Sequence, residues 1–162
     1  MITQKELKQL VDYRDGNLYW RVQKGRSKIG DKLGCKQKNT RRSNIFYVFT
    51  RIDQVNYRLH RLIWLWHYGY LPAYVDHING DGSDNRIENL RACSQVENSR
   101  NAKLSKANTS GYKNVSKQKN KWLVQLNLNG KNQRVGLFVD IELAALVAQE
   151  ARNKYFGDFA KA

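Results

Sequence analysis

The stretch "YVDHINGDGSDNRIENLRACSQVENSRN", residues 74–101, gathers an Asp-His pair, a Gly-rich turn and a series of asparagines into one short segment. Asn and Gly are poor formers of helix and strand, so their concentration asks for a chemical reason. Asp76 is an oxygen donor suited to a hard cation such as Mg²⁺, and a neutral His77 is a good base near pH 7. Hydrolysis of a phosphodiester needs that combination: a cation on the scissile phosphate, a base to activate water and stabilisation of the leaving oxygen. Neighbouring strand residues face opposite ways, so His77 points away from Asp76 unless the strand ends or bends there. Asn89 follows, and Asn98 lies nine residues further on, on what reads as a helix able to return it toward Asp76.

Other chemistries fit less well. Counted from His77, the residues Asn79, Asp81, Gly82 and Glu88 fall on EF-hand positions. The first ligand would then be His rather than a carboxylate, the apolar eighth place is Asp84, and "LPAYV" makes no entering helix. A plain turn explains residues 79–85, because Gly, Asn and Asp are what tight turns want. It explains neither the Asp-His pair nor the later asparagines. Three His and Cys93 match no common zinc spacing, and Cys35 and Cys93 are expected to be reduced thiols.

The elements that must position these groups can be read around them. Thr3-x-x-Glu6 is a capping box, and Leu7, Leu10 and Val11 share a helical face over "ITQKELKQLVDY". Asp15-Gly16 turns into a strand, "NLYWRV". Residues 21–42 carry nine Lys/Arg against one Asp and read as a solvated basic loop able to contact phosphates. "NIFYVFTRI", a turn at 53–56 and "YRLHR" read as a hairpin, and "RLIWLWHYG" as a helix stopped at Gly69. Residues 103–110 form a polar linker. Beyond it three short strands and a helix capped by Asp140 and ended by Gly157 make a plausible second domain.

The 162-residue chain holds 29 Lys+Arg against 14 Asp+Glu, a net charge of +15. That charge is spread as +8 over residues 1–102, +2 over 103–110 and +5 over 111–162, so both halves can meet one polyanion. No apolar run reaches membrane-spanning length and no secretory h-region is evident, so a cytoplasmic protein without a membrane partner is expected.

"LHRLIW", "VDHINGD", "DNRIENLR" and "QVENSRN" together resemble an HNH endonuclease of the phage and homing type. The resemblance implies an α+β fold, with a ββα-metal finger over residues 59–102 after a lead-in over 1–58. It implies His77 as general base, Asp76 as Mg²⁺ ligand (Mn²⁺ substituting), and Asn89 as the residue that holds the loop in shape. Asn98 takes the place of the final His as second metal ligand, with Asn101 the alternative. His60 matches a recurrent family position, against a plain hairpin role. His67 is expected to pack. Arg61, Arg86, Arg91 and Arg100 are surface charge or phosphate contacts.

In "KWLVQLNLNG" the residues Trp122, Val124, Leu126 and Leu128 share one face, to be covered by a helix offering Ala144, Ala145, Ala148 and Ala151. The opposite, polar face of such a sheet can enter the DNA major groove. Residues 109–160 resemble the APETALA/ethylene-response-factor DNA-binding domain, a three-stranded antiparallel sheet packed on one helix, here bounded as 111–162. By that resemblance the DNA contacts are Lys113, Ser116, Gln118, Gln125, Asn127, Asn132 and Arg134. The combined expectation is a metal-dependent endonuclease acting on double-stranded DNA in a bacterial host. One site cuts one strand, so as a monomer or weak dimer it should chiefly nick. The rival is a regulator that binds DNA without cutting it.

Overall fold

The computed structural model describes residues 1–39, 46–100, 104–105 and 107–160. It is mixed α/β, with several small sheets distributed over two compact units, residues 1–95 and 96–162.

In the first unit, helix α1 (Gln4–Leu10) starts at the Thr3 capping box, with Thr3 and Glu6 each accepting from the other's backbone. The helix stops earlier than its apolar pattern suggests. Val11 is extended and opens strand β1 (Val11–Arg14), which pairs with β2 (Asn17–Trp20) across the Asp15-Gly16 turn. Val11 is β-branched, fully buried and opposite Trp20, so cross-strand packing overrides a helical spacing that Leu7 and Leu10 already satisfy.

Over residues 21–39, its described part, the basic segment is more ordered than a loop. Cys35–Lys38 forms β3, antiparallel to β4 (Phe46–Ile52), and Leu33 is buried. Every β3 side chain is exposed, so no apolar alternation marks the strand in the sequence. Strand β4 turns through Asp53 and Gln54, both at positive φ, into β5 (Val55–Arg58). Helix α2 (Leu59–Tyr68) follows at once and ends on Gly69 in the left-handed region. His60 therefore sits in the first turn of a helix rather than in the hairpin expected for "YRLHR". Leu7, Val11, Leu18, Trp20, Leu59, Leu62 and Ile63 form the heart of the core.

Strands β6 (Tyr74–His77) and β7 (Leu90–Cys93) pair antiparallel, joined by a polar loop and the short 3₁₀ turn Ile87–Asn89. Helix α3 (Gln95–Arg100) comes next in the chain.

In the second unit, β8 (Val115–Gln118), β9 (Lys121–Leu128) and β10 (Lys131–Phe138) form an antiparallel sheet in the order 10-9-8. Val115 and Val124 pack on Ala144 and Ala148 of helix α4 (Ile141–Phe156), which Asp140 caps. Small residues let the helix lie close to the sheet. Ala151 and Arg152 are the other buried residues of α4, and Ala145 is half-buried. No helix among the described residues is long and apolar enough to cross a membrane.

Candidate active site

The end of β6 brings two titratable groups into the interior. Asp76 and His77 are 7% and 4% exposed, and they serve different partners, as the pleat demands. Asp76 stands opposite Arg91 in the β6–β7 register. Arg91 donates to Asp76 Oδ2 from Nε at 3.1 Å and from Nη2 at 2.9 Å. Both side chains are largely buried, so this pair neutralises a carboxylate that would otherwise be costly inside.

His77 ends the strand. Its Nε2 lies 3.0 Å from Asn85 Oδ1, and its ring meets His60 edge to face with centroids 4.8 Å apart. Tyr47 closes the group, its ring 5.6 Å from His60 and 5.8 Å from His77. Burial holds the His77 pKa below its ordinary value, against the hydrogen bond to Asn85 Oδ1 and the nearby Asp76, which push it up. His60 lies well below its ordinary value, chiefly through burial, with His77, Arg58 and Arg61 adding to the effect. Both rings are accordingly neutral at pH 7.

Asn89 organises the loop. Its Oδ1 accepts from Asn79 N at 3.0 Å, while its Nδ2 donates to Asn79 Oδ1 at 3.1 Å and to the Asp84 carbonyl at 2.7 Å. Asp81 accepts from the backbone and hydroxyl of Ser83, and Asp84 takes the Arg86 guanidinium fork and the Asn79 amide. The Arg86 fork holds the Asp84 carboxyl down at about 2. These loop carboxylates are spent on the loop itself, as the turn chemistry of residues 79–85 leads one to expect, and this speaks against a calcium loop.

Arg61 donates to the carbonyls of Pro72 and Ala73, bracing the approach to β6. His67 packs against Tyr13 and Trp66. Asn98 is exposed on α3 and Arg100 lies at the end of that helix, both in the second unit. Asn101 lies outside the described residues. Asn85 and Tyr47 carried no separate signal in the sequence. Asn85 was absorbed into the turn pattern, and Tyr47 is one aromatic among several in β4.

Among the described residues no group of three or more His, Cys, Asp and Glu side chains could hold a metal ion. The Asp76 carboxylate is an oxygen donor of the kind a hard cation such as Mg²⁺ accepts.

In the second unit, the register places six of the seven predicted contacts on one face. Arg134 is opposite Gln125 and Asn132 opposite Asn127, while Ser116 and Gln118 are opposite Leu123 and Lys121 of the same β9 face. Asn127 and Asn132 are joined at 3.1 Å. Lys113 lies ahead of β8, where its carbonyl accepts from Arg152.

Comparison with known proteins adds the family. Residues 57–100 match the family described as HNH endonuclease, a span that includes His60, Asp76, His77, Asn89, Arg91 and Asn98. Protein 3.8 of Escherichia phage T7 is 32% identical over 108 residues, covering 64% of this chain and 88% of that protein. No solved structure matches the chain. The chain thus carries an HNH endonuclease domain and belongs to the same family as phage T7 protein 3.8.

Proposed function

We propose that this protein is a divalent-metal-dependent DNA endonuclease of the HNH homing type, which nicks double-stranded DNA. The observation that carries the reading is the buried, neutral His77 at the end of β6, held by Asn85 beside Asp76. Asn85 Nδ2 donates to the Ser83 carbonyl at 3.3 Å, which turns Oδ1 toward the imidazole. Nε2 then carries the hydrogen and Nδ1 the lone pair, so Nδ1 is the atom that takes the proton from water. Asp76 and Asn98 would hold Mg²⁺, with Mn²⁺ able to substitute, in a ββα-metal arrangement of β6, β7 and α3. The cation supplies charge stabilisation at the scissile phosphate. Asn89 keeps the loop rigid so that His77 needs no reorganisation. Arg91 compensates Asp76, and Arg61, Arg86 and Arg100 are candidate phosphate contacts.

The second unit is read as an APETALA/ethylene-response-factor type domain that positions the duplex through Ser116, Gln118, Gln125, Asn127, Asn132 and Arg134, with Lys113 beside them. The test is supercoiled plasmid with Mg²⁺, Mn²⁺ or EDTA. His77→Ala should keep DNA binding and lose cleavage by about 10²–10⁴-fold, the usual contribution of a general base. Equal activity in that variant refutes the assignment.

One observation favours a second reading, a DNA-binding regulator without activity: the Asp76 carboxylate is engaged by Arg91. A regulator binds DNA equally well in EDTA and yields no open circles with any metal.

A further inference from the structure

The second unit contains an open pocket of about 540 Å³ whose lining includes Arg100, Lys113, Asn114, Asn127, Arg152 and Phe156. That is far more space than the ~30 Å³ share of one water. No Asp or Glu is among the described lining residues.

The two arginines are held in place but incompletely used. The Arg100 guanidinium lies over the Phe156 ring at 4.4 Å, a contact that fixes its plane. Arg152 is only 6% exposed. It donates to the Lys113 carbonyl at 2.9 Å and to Gln149 Oε1, both neutral acceptors. The buried Nε of each arginine has no hydrogen-bond partner, and neither guanidinium is ion-paired with a carboxylate among the described residues. A guanidinium buried without a counter-charge is expensive, and desolvation works against the charge of Arg152. A buried donor left open in a cationic, roomy pocket calls for an anion with several acceptor oxygens. The amides of Asn114 and Asn127 can supply further neutral donors to it.

We infer that this pocket is a phosphate-binding site that grips one backbone phosphodiester of bound DNA between Arg100, Lys113 and Arg152. The site adjoins the polar sheet face at Asn127 and carries no base information. Its task is to fix where the duplex lies on the second unit. The inference rests on the reading of that unit as DNA-binding.

The test uses the full chain in EDTA with a fluorescent duplex, across about 50 to 200 mM NaCl. Arg100→Gln and Arg152→Gln should each weaken binding. Each should also flatten the slope of log K against log salt by about 0.9, the value for one lost phosphate contact. Lys154→Gln removes a charge from the same helix outside the pocket lining and should change the slope little. Arg152 also braces the Lys113 carbonyl, so Arg152→Gln should lower the melting temperature as well. Arg152→Lys, which keeps the charge, should then recover most of the slope. Wild-type slopes in both Gln variants, or an equal fall in Lys154→Gln, would overturn the site in favour of diffuse attraction. Stabilisation of the wild type by inorganic phosphate, lost in Arg100→Gln with the DNA slope intact, would mean a free-anion site and would also overturn it. If the wild type fails to bind any duplex, the DNA reading of the second unit fails and this inference falls with it.

Discussion

The histidines give the first unit a defined sensitivity to acid. His60 is 3% exposed, faces the rings of His77 and Tyr47, and has Arg58 and Arg61 as charged neighbours. Its folded pKa lies well below 6.5, chiefly through burial, and that of His77 lies below 6.5 for the same leading reason. Above about pH 7.5 both rings are neutral in the folded and the unfolded chain, so neither affects stability. Below it the unfolded chain takes up protons that the folded chain refuses. Stability therefore falls with pH from about 7.5 down to the lowered folded values. The slope contributed by each histidine has a ceiling of about 1.4 kcal/mol per pH unit, and His60, lowered the further, comes nearer to it. Against a typical total of about 5–15 kcal/mol, one such unit is a large loss. Asp81 and Asp84 are lowered carboxylates, so their contribution is lost only as pH falls through a more acid window. Urea unfolding at about pH 7.5, 6.5 and 5.5 measures the effect. Trp20, Trp64 and Trp66 report on the first unit, and a Trp122→Phe background removes the reporter of the second. His60→Gln, whatever its own stability, should remove the larger part of the pH slope. A flat profile, or an undiminished slope in His60→Gln, refutes the argument.

Three other outcomes follow from the same geometry. Asn89→Ala deletes three loop hydrogen bonds at a side chain 8% exposed. It should cost about 2–4 kcal/mol in urea unfolding at roughly 1 kcal/mol per bond plus stranded groups, and should abolish nicking while leaving duplex affinity unchanged. A Cβ on Gly82 would run into the Phe46 carbonyl and stand 2.7 Å from the Tyr47 ring. Gly82→Ala should therefore lower stability by about 1–3 kcal/mol, visible as a fall in melting temperature, and displace the ring beside His77. Arg91→Met strands the buried Asp76 carboxylate and should cost about 3–5 kcal/mol; adding Asp76→Asn should return much of it, and no recovery in a double-variant cycle would show that the pair is not the cause.

What the sequence made legible was local chemistry. The Thr3 capping box, the Asp15-Gly16 turn, the Gly69 stop and the Asp140 cap all declare themselves within a few residues. So does the alternation of β9, where Val124 and Leu126 are buried and Gln125 is not. Features set by a distant partner were hidden. Val11–Arg14 is a strand because β2 pairs with it, although its apolar spacing continues a helix. Cys35–Lys38 is a strand because β4 lies beside it, and no buried side chain betrays it. The same divide runs through the site. Asp76, His77 and Asn89 stood out by residue type, whereas Asn85 and Tyr47 matter only through the ring they touch.

That divide bears on what the catalytic unit is. The family match begins at residue 57, yet the loop of the candidate site is held largely by residues before it. Tyr13 accepts at its hydroxyl from Ile87 N at 3.1 Å, just ahead of Asn89. Gly16 brings the first hairpin so near that an added Cβ would lie 2.7 Å from Arg86 N. Lys36 of β3 donates to Ser83 at 3.0 Å, and β4 lays Phe46 and Tyr47 against Gly82 and both histidines. The apolar side has the same dependence, since Leu59, Leu62 and Ile63 of α2 share one core with Leu7, Val11, Leu18 and Trp20. A segment as short as the match buries too little surface to hold a charged pair and two neutral histidines inside. The lead-in is therefore the wall of the candidate site: it buries His60 and His77, and that burial holds the His77 pKa below its ordinary value.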